Sequence, residues 1–315
     1  MAVAKAHMEI ILNHHDKVKH AEELLNRIIV GKKHAVRLSL VCMLAGGHLL
    51  LEDIPGTGKT VLAKALAKIV DVSFVRIQFT PDLMPSDILG VSVYQPATQE
   101  FKLRKGPVFH NIVLADEINR GSPRTQSALL EAMAEHHVSI DGHTLPLPQP
   151  FMVIATQNPL DGVGTFPLPA AQKDRFLFSL QLGYPDPESE MALMQGKDRH
   201  SWVEGDGLRS LGAETWQTLS EQGKQVKISE NLLQYMHRLV QATRNNKDIH
   251  LGLSTRAALA LCDATRFYAF LEGRSYAIPE DVQHVFIPLA QHRIDVRDGG
   301  QRTKVLESIL KETAV

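Results

Sequence analysis

The chain reads as an α/β protein: a parallel sheet covered by helices on both faces, interrupted by two β-hairpin insertions and followed by an all-helical domain. Three observations predict this. Five short apolar runs alternate with helical patterns in the first part of the chain. The first of these runs passes directly into a glycine-rich turn and a helix. Beyond Pro185-Asp186-Pro187, a segment that stops the sheet and reads as a linker, the apolar spacing is helical. The expected division is therefore 1–184 and 185–315.

Residues 1–47 read as helical, with Leu24, Leu25, Ile28 and Ile29, then Val36, Leu40 and Leu44, on apolar faces separated by Gly31. The five candidate strands are Leu49–Glu52, Phe74–Phe79, Ile112–Asp116, Phe151–Gln157 and Phe176–Leu182, with helices near 59–70, 123–135 and 168–175. Val91 to Leu103 has period-two apolar residues around a polar turn, and His137 to Leu147 repeats the pattern with Asp141-Gly142 as its turn. Both read as inserted hairpins, where substrate or neighbour contacts are expected. In the second part, Leu232, Leu233, Met236, Leu239 and Val240 form one apolar stripe. Leu259, Leu261, Ala264, Phe267, Tyr268 and Leu271 form another, ending at Gly273. Pro279-Glu280-Asp281 opens a further helix, with proline and two acids at its positive dipole end. The polar, glycine-containing segment 196–227 carries no clear pattern.

Composition narrows the function classes. At 315 residues the chain has length for about two domains. A hydrophobic content of 44%, with 22% charged residues, is that of a soluble globular protein. The net charge of −1 gives no global pull toward nucleic acid or a membrane surface. Cys42 and Cys262 lie in apolar helical patterns without metal-like spacing and read as packing residues in a reducing compartment. The longest apolar run, Leu38 to Leu51, is broken by Gly46, Gly47 and His48 and is too short to span a bilayer, and no signal peptide is evident. The expectation is a cytoplasmic protein.

The chemistry concentrates at two strand ends. A nucleoside triphosphate is a compact polyanion, so its binding calls for backbone N–H groups brought close by glycines, one mobile cation and a hydroxyl for Mg²⁺. Pro55-Gly56-Thr57-Gly58 followed by Lys59, Thr60 and Val61 supplies these: the glycines permit close approach, Lys59 is the cation and Thr60 the metal-side hydroxyl. The strict pattern G-x-x-x-x-G-K-[ST] would place glycine at 53, where this chain has Asp53. About 55 residues downstream, Asn111 to Glu117 is a buried-strand pattern ending in two acids. Asp116 is expected to hold Mg²⁺ through water, and Glu117 to polarise the attacking water. Asn158, after the strand Phe151–Gln157, is placed to orient that water. Arg175 ends a short helical stretch, and Arg256 opens a helix of the second domain.

Taken together, LLLEDIPGTGKT (49–60), FVRIQFTPDLMPSDILG (74–90), GPVFHNIVLADEINRGSPRTQSALLEAMAE (106–135), FMVIATQNP (151–159), GTFPLPAAQKDRFLF (164–178), STRAALAL (254–261) and EGRSYAIPEDV (272–282) resemble the AAA+ ATPases of the MoxR type over roughly residues 26–295. The resemblance implies an αβα nucleotide domain with a helical lid, ATP and Mg²⁺ as ligands, a hexameric ring, and energy-dependent remodelling of client proteins. Metalloenzymes and von Willebrand factor A domain proteins are typical partners. By the same resemblance Lys59 and Thr60 are Walker A residues, Asp116 and Glu117 the Walker B pair, Asn158 sensor 1, Arg175 the arginine finger and Arg256 sensor 2. Val30 and Gly31 fall at the adenine contact, and the hairpins match the helix-2 and pre-sensor-1 insertions. Asp53 is compatible with this subgroup. Ala170 stands where the family often has Glu, and Thr255 where it often has Pro, which bears on the subunit interface and the lid.

Two other function classes are compatible with parts of the pattern. A nucleic-acid motor would use the small basic cluster Lys102, Arg104 and Lys105 near one hairpin, although the net charge disfavours it, and would show DNA-stimulated, salt-dependent turnover. A nucleotide-dependent switch with negligible turnover is opposed by Glu117. The fifteen histidines show no HExxH or comparable ligand spacing and read as surface or core residues.

Overall fold

The computed structural model describes residues 16–159, 162, 164–194, 211–297 and 300–315. The helical reading of residues 1–15, and that of 196–210 as patternless, lie outside these residues. In chain order the strands are β1 (Leu49–Glu52), β2 (Phe74–Gln78), β3 (Gly90–Gln95), β4 (Glu100–Lys105), β5 (Ile112–Asp116), β6 (His137–Ile140), β7 (His143–Pro146), β8 (Met152–Gln157), β9 (Phe178–Leu180), β10 (Ile249–Leu251) and β11 (Asp295–Val296).

Five of these make one sheet in the order β2-β5-β8-β1-β9, and every pairing in it is parallel. A parallel sheet needs crossover connections, and the helices Lys59–Val70 and Pro123–Glu135 provide two of them. Both faces are therefore buried, which explains why β1, β5 and β8 are almost uninterrupted apolar runs. One face, with Leu49, Leu51, Ile112, Leu114, Met152 and Ile154, packs on the helices Lys59–Val70 and Lys33–Leu44. The other, with Leu50, Val113, Ala115, Val153 and Ala155, packs on Leu129, Leu130 and Met133. Three strands are shorter than their apolar runs. The ninth strand ends at Leu180 because the next amides, Leu182 and Gly183, turn to the Asp53 carboxylate instead of the ladder.

Both hairpins form where the patterns place them. β3 and β4 pair in antiparallel register from Gly90↔Lys105 to Gln95↔Glu100. Their base is a backbone crossing: a Cβ on Gly106 would lie 2.2 Å from the Ile88 carbonyl oxygen, so only glycine fits. β6 and β7 are joined through Asp141 and Gly142, at φ 50° and 81°, the left-handed pair of a tight hairpin turn.

Beyond residue 186 the regular elements among the described residues are helices, apart from the small β10–β11 ladder. Helices Ala213–Lys224, Glu230–Asn245, Thr255–Leu271, Pro279–Ala290 and Arg302–Glu312 enclose Trp216, Tyr235, Phe267 and Phe286, and this core runs on into the helix Lys33–Leu44. Ser229 and Ser254 cap two of these helices, accepting hydrogen bonds from Leu232 N and Ala257 N. Among the described residues no helix is long and apolar enough to cross a membrane.

His48, which opens β1, is a core residue. Its Nδ1 accepts from Val153 N (3.0 Å) and its Nε2 donates to the Met133 carbonyl (3.1 Å), which defines a neutral tautomer. Burial pushes its pKa down to about 4. A folded-state pKa below the unfolded value means that the unfolded chain takes up the proton first. Stability is then fully present above about pH 6.5 and declines as pH falls toward 4. His48 alone is expected to remove about 2 kcal/mol between pH 7.5 and 5. Urea unfolding across that range checks this, and His48→Gln should flatten the profile; an equally steep profile in the variant would refute the assignment.

Candidate nucleotide site

The site lies at the carboxyl edge of the sheet, where β1, β5 and β8 end side by side. β1 turns through Ile54 and Pro55 into the helix Lys59–Val70. Gly56 and Gly58 adopt φ 84° and 92°, which glycine reaches without cost. A Cβ added at either would meet nothing within 4 Å, so the loop faces open space. Lys59 Nζ bends back to donate to the carbonyls of Asp53 and Ile54, both at 2.9 Å. The turn thus forms an open cradle of backbone at a helix N-terminus with one cation folded across its rim.

Asp53 replaces the expected glycine with an anchor. Only 6% exposed, it accepts from Ile54 N (2.9 Å) through one oxygen and from Leu182 N and Gly183 N (both 2.7 Å) through the other. The phosphate-loop candidate is thereby tied to the chain leaving β9. Beside it Ser179 Oγ donates to Glu52 (2.7 Å).

The two acids at the end of β5 are fixed by one buried hydroxyl. Thr156 Oγ1 donates to Asp116 (2.6 Å) and accepts from Glu117 N (2.8 Å). Glu117 sits at φ 55°, unusual for a residue with a side chain, and this hydrogen bond holds it there. Both carboxylates are paired with cations. Arg76 donates to Asp116 from Nη2 (2.6 Å) and Nε (3.0 Å), and Arg120 Nε lies 3.1 Å from Glu117. Gln78 Nε2 adds a hydrogen bond to Glu117 (2.8 Å). The sequence reading missed Arg76, Gln78, Arg120 and Thr156. Arg76 and Gln78 stand two apart on the edge strand β2, a period-two polar pair that marks one face.

The other predicted residues divide into groups. Asn158 follows β8 directly and is half-buried, next to Gln157, whose amide nitrogen is buried without a hydrogen-bond partner among the described residues. Gly31, at φ 75°, abuts the start of the helix Pro187–Met194: a Cβ there would come within 2.4 Å of Asp186 Oδ2. Lys32 Nζ reaches the Tyr184 carbonyl (2.5 Å), so Val30 and Gly31 lie against the segment joining the two parts of the chain. Arg175 follows the short helix Ala170–Lys173 and donates to the Leu130 carbonyl. Arg256 is exposed in the first turn of Thr255–Leu271. Arg175 adjoins Asp174 in sequence and Arg256 stands two residues beyond Ser254; Asp174 accepts from Arg293 Nε (2.8 Å) and from Ser254 Oγ (2.9 Å).

Residues 48–178 match the ATPase family associated with various cellular activities (AAA), and 241–313 match the AAA lid domain. The chain is 42% identical to Chaperone MoxR1 of Mycobacterium tuberculosis, over 86% of this chain and 73% of that one. It is 31% identical to Protein MoxR of Paracoccus denitrificans, over 89% of each. The chain belongs to the MoxR-type AAA+ ATPases. The YeaC protein of Bacillus subtilis is 47% identical over 89% of this chain and 87% of its own. A crystal structure of a candidate ATPase from Cytophaga hutchinsonii superposes with a TM-score of 0.90 at 37% identity, covering 100% of this chain and 99% of that one. The family accounts for the parallel sheet and the helical lid together.

The donor set suits a triphosphate with a hard cation. Backbone N–H groups of the loop and Lys59 would suit phosphates, while the Thr60 hydroxyl and Asp116 carboxylate are oxygen ligands of the kind Mg²⁺ takes. The role of Asp53 is testable independently of any ligand. Restoring the consensus with Asp53→Gly removes three charge-assisted hydrogen bonds and should cost about 3 kcal/mol. Urea unfolding measures this, and a loss under about 1 kcal/mol would show that Asp53 is not the anchor.

Proposed function

We propose that this protein hydrolyses ATP in a homo-oligomeric ring, the family's expected hexamer, and uses the cycle to remodel or activate partner proteins. The observation that carries the reading is the convergence at one sheet edge of an open glycine cradle with its lysine and two acids held by a common hydroxyl.

In this reading Gly56, Thr57 and Gly58 present backbone donors to the phosphates, and Lys59 leaves the carbonyls of Asp53 and Ile54 for the β- and γ-phosphates. Thr60 and Asp116 would hold Mg²⁺, which would neutralise charge on the phosphates. Glu117 takes the proton of the attacking water as general base, with Asn158 orienting that water. Both acids must first give up their guanidinium partners: Arg76 releases Asp116, and Arg120 and Gln78 release Glu117. Val30 and Gly31 contact the base, the boundary near 184/185 separates nucleotide domain from lid, and Arg256 senses the γ-phosphate from the lid of the same chain.

Arg175 is the arginine for the neighbouring subunit's site. Such a residue accelerates phosphoryl transfer by about 10³–10⁵-fold, or about 4–7 kcal/mol of barrier. Clients belong to the class the family handles, metalloenzymes or von Willebrand factor A domain proteins. The hairpin β3–β4 displays Tyr94 and Phe101, exposed and with ring centroids 5.3 Å apart, as a surface for such a client.

Two measurements test the reading. Glu117→Gln should lower turnover by about 10²-fold or more while calorimetry still detects ATP uptake; full turnover in the variant would remove Glu117 from the mechanism. Specific activity should rise with protein concentration as subunits assemble, and Arg175→Ala should abolish the rise. A flat profile for a confirmed monomer would exclude an arginine supplied by a neighbour.

A further inference from the structure

The segment 166–176, which carries Arg175, is tied at both ends to elements of its own chain. At its start, Phe166 N donates to the Asn119 carbonyl (2.6 Å), and the buried Gln126 amide bridges the carbonyls of Ile118, Gly121 and Phe166. This end is pinned to the turn that follows Glu117. At its other end, the Asp174 carboxylate takes two hydrogen bonds from beyond residue 250. One comes from Ser254, whose hydroxyl also caps the helix bearing Arg256 by accepting from Ala257 N (3.0 Å). The second comes from Arg293, a guanidinium whose side chain is 3% exposed and which also donates to the carbonyls of Phe176 (2.6 Å) and Leu177 (3.0 Å).

Arg175 and Arg256 are assigned above to different active sites, the first to a neighbour's and the second to its own. The Asp174 carboxylate joins them mechanically. It adjoins Arg175 in sequence and is one hydrogen bond from the N-cap of the helix that Arg256 opens. A rotation of that helix must either carry residue 174 with it or break the Ser254–Asp174 bond.

We propose that Asp174 is a positioning residue that transmits movement of the lid's Arg256 helix into the Arg175 segment, so that the nucleotide held by one subunit sets the arginine offered to the next. The inference rests on the nucleotide-site reading above. Its two contacts have separable tasks. Arg293 fixes Asp174 to the end of the helix Pro279–Ala290 and the entry to β9, and Ser254 provides the movable link.

Hydrogen exchange on the full chain, with and without ATP and Mg²⁺ in the Glu117→Gln background, tests this. Ser254→Gly deletes the hydroxyl while glycine remains an acceptable N-cap, so the helix should persist. Asp174→Asn is the second variant, which keeps an oxygen acceptor but removes the charge. In the parent protein, nucleotide should slow exchange both at the loop 56–62 and at 166–176. In Ser254→Gly the protection at 56–62 should remain and the nucleotide-dependent change at 166–176 should be lost. Asp174→Asn should show the same loss, since a neutral acceptor holds Arg293 and Ser254 less firmly. A purely structural contact would shift exchange at 166–176 equally with and without nucleotide. Retention of the full nucleotide-dependent change in both variants would overturn the proposal, as would its absence from the parent while 56–62 is protected. No protection at 56–62 in the parent would instead remove the nucleotide-site reading, and this inference with it.

Discussion

The Thr156 hydroxyl, 1% exposed in the middle of the sheet edge, organises the site. It donates to one acid and accepts from the backbone of the next, so a single group positions Asp116 and fixes the left-handed turn at Glu117. Such a turn costs on the order of 1 kcal/mol for a residue with a side chain, and a buried hydroxyl left unpaired would cost about as much again. Each therefore stabilises the other. The parallel register supplies the third element, since Leu51↔Thr156 places the hydroxyl one strand from the end of β1 and the loop beyond it.

Around that hydroxyl the lysine and the two acids of the candidate site each have a protein partner. Lys59 rests on two carbonyls, Asp116 on Arg76, and Glu117 on Arg120 and Gln78. On the proposed reading, binding a metal–nucleotide complex would be an exchange of partners and not the filling of a bare charged pocket. Exchange costs less than desolvating unpaired charges, because the guanidiniums of Arg76 and Arg120 are about half exposed and can return to water.

What the sequence made legible follows from the range of the interactions involved. The glycine turn, the buried strands and the hairpins are local patterns, and all five sheet strands and both hairpins stand where those patterns place them. Asp53 was visible only as a departure from a consensus, since its partners at 182 and 183 lie 129 and 130 residues away. Arg76 and Asp116 meet through the β2–β5 register, and no spacing within either strand announces it. Arg293 gave no signal at all: a lone arginine in a polar stretch reads as solvated, yet among the described residues it is the one buried arginine or lysine, because the helix Pro279–Ala290 delivers it to the start of β9.

The Arg293–Asp174 pair also shows why such residues matter for geometry more than for stability. Burial pulls the guanidinium down to about 10 against the opposing pull of Asp174, so it remains a cation at neutral pH. Desolvation offsets most of what a buried pair gains, and well-packed apolar residues of similar size often do as well. Apolar packing, however, is not directional. Four described hydrogen bonds from one planar group to Asp174, Phe176 and Leu177 set the angle between helix Pro279–Ala290 and the sheet far more narrowly than a greasy contact would. With that end fixed, the Ser254–Asp174 hydrogen bond joins the N-terminus of the Arg256 helix to the segment that carries Arg175, while the body of that helix packs on the helix Lys33–Leu44.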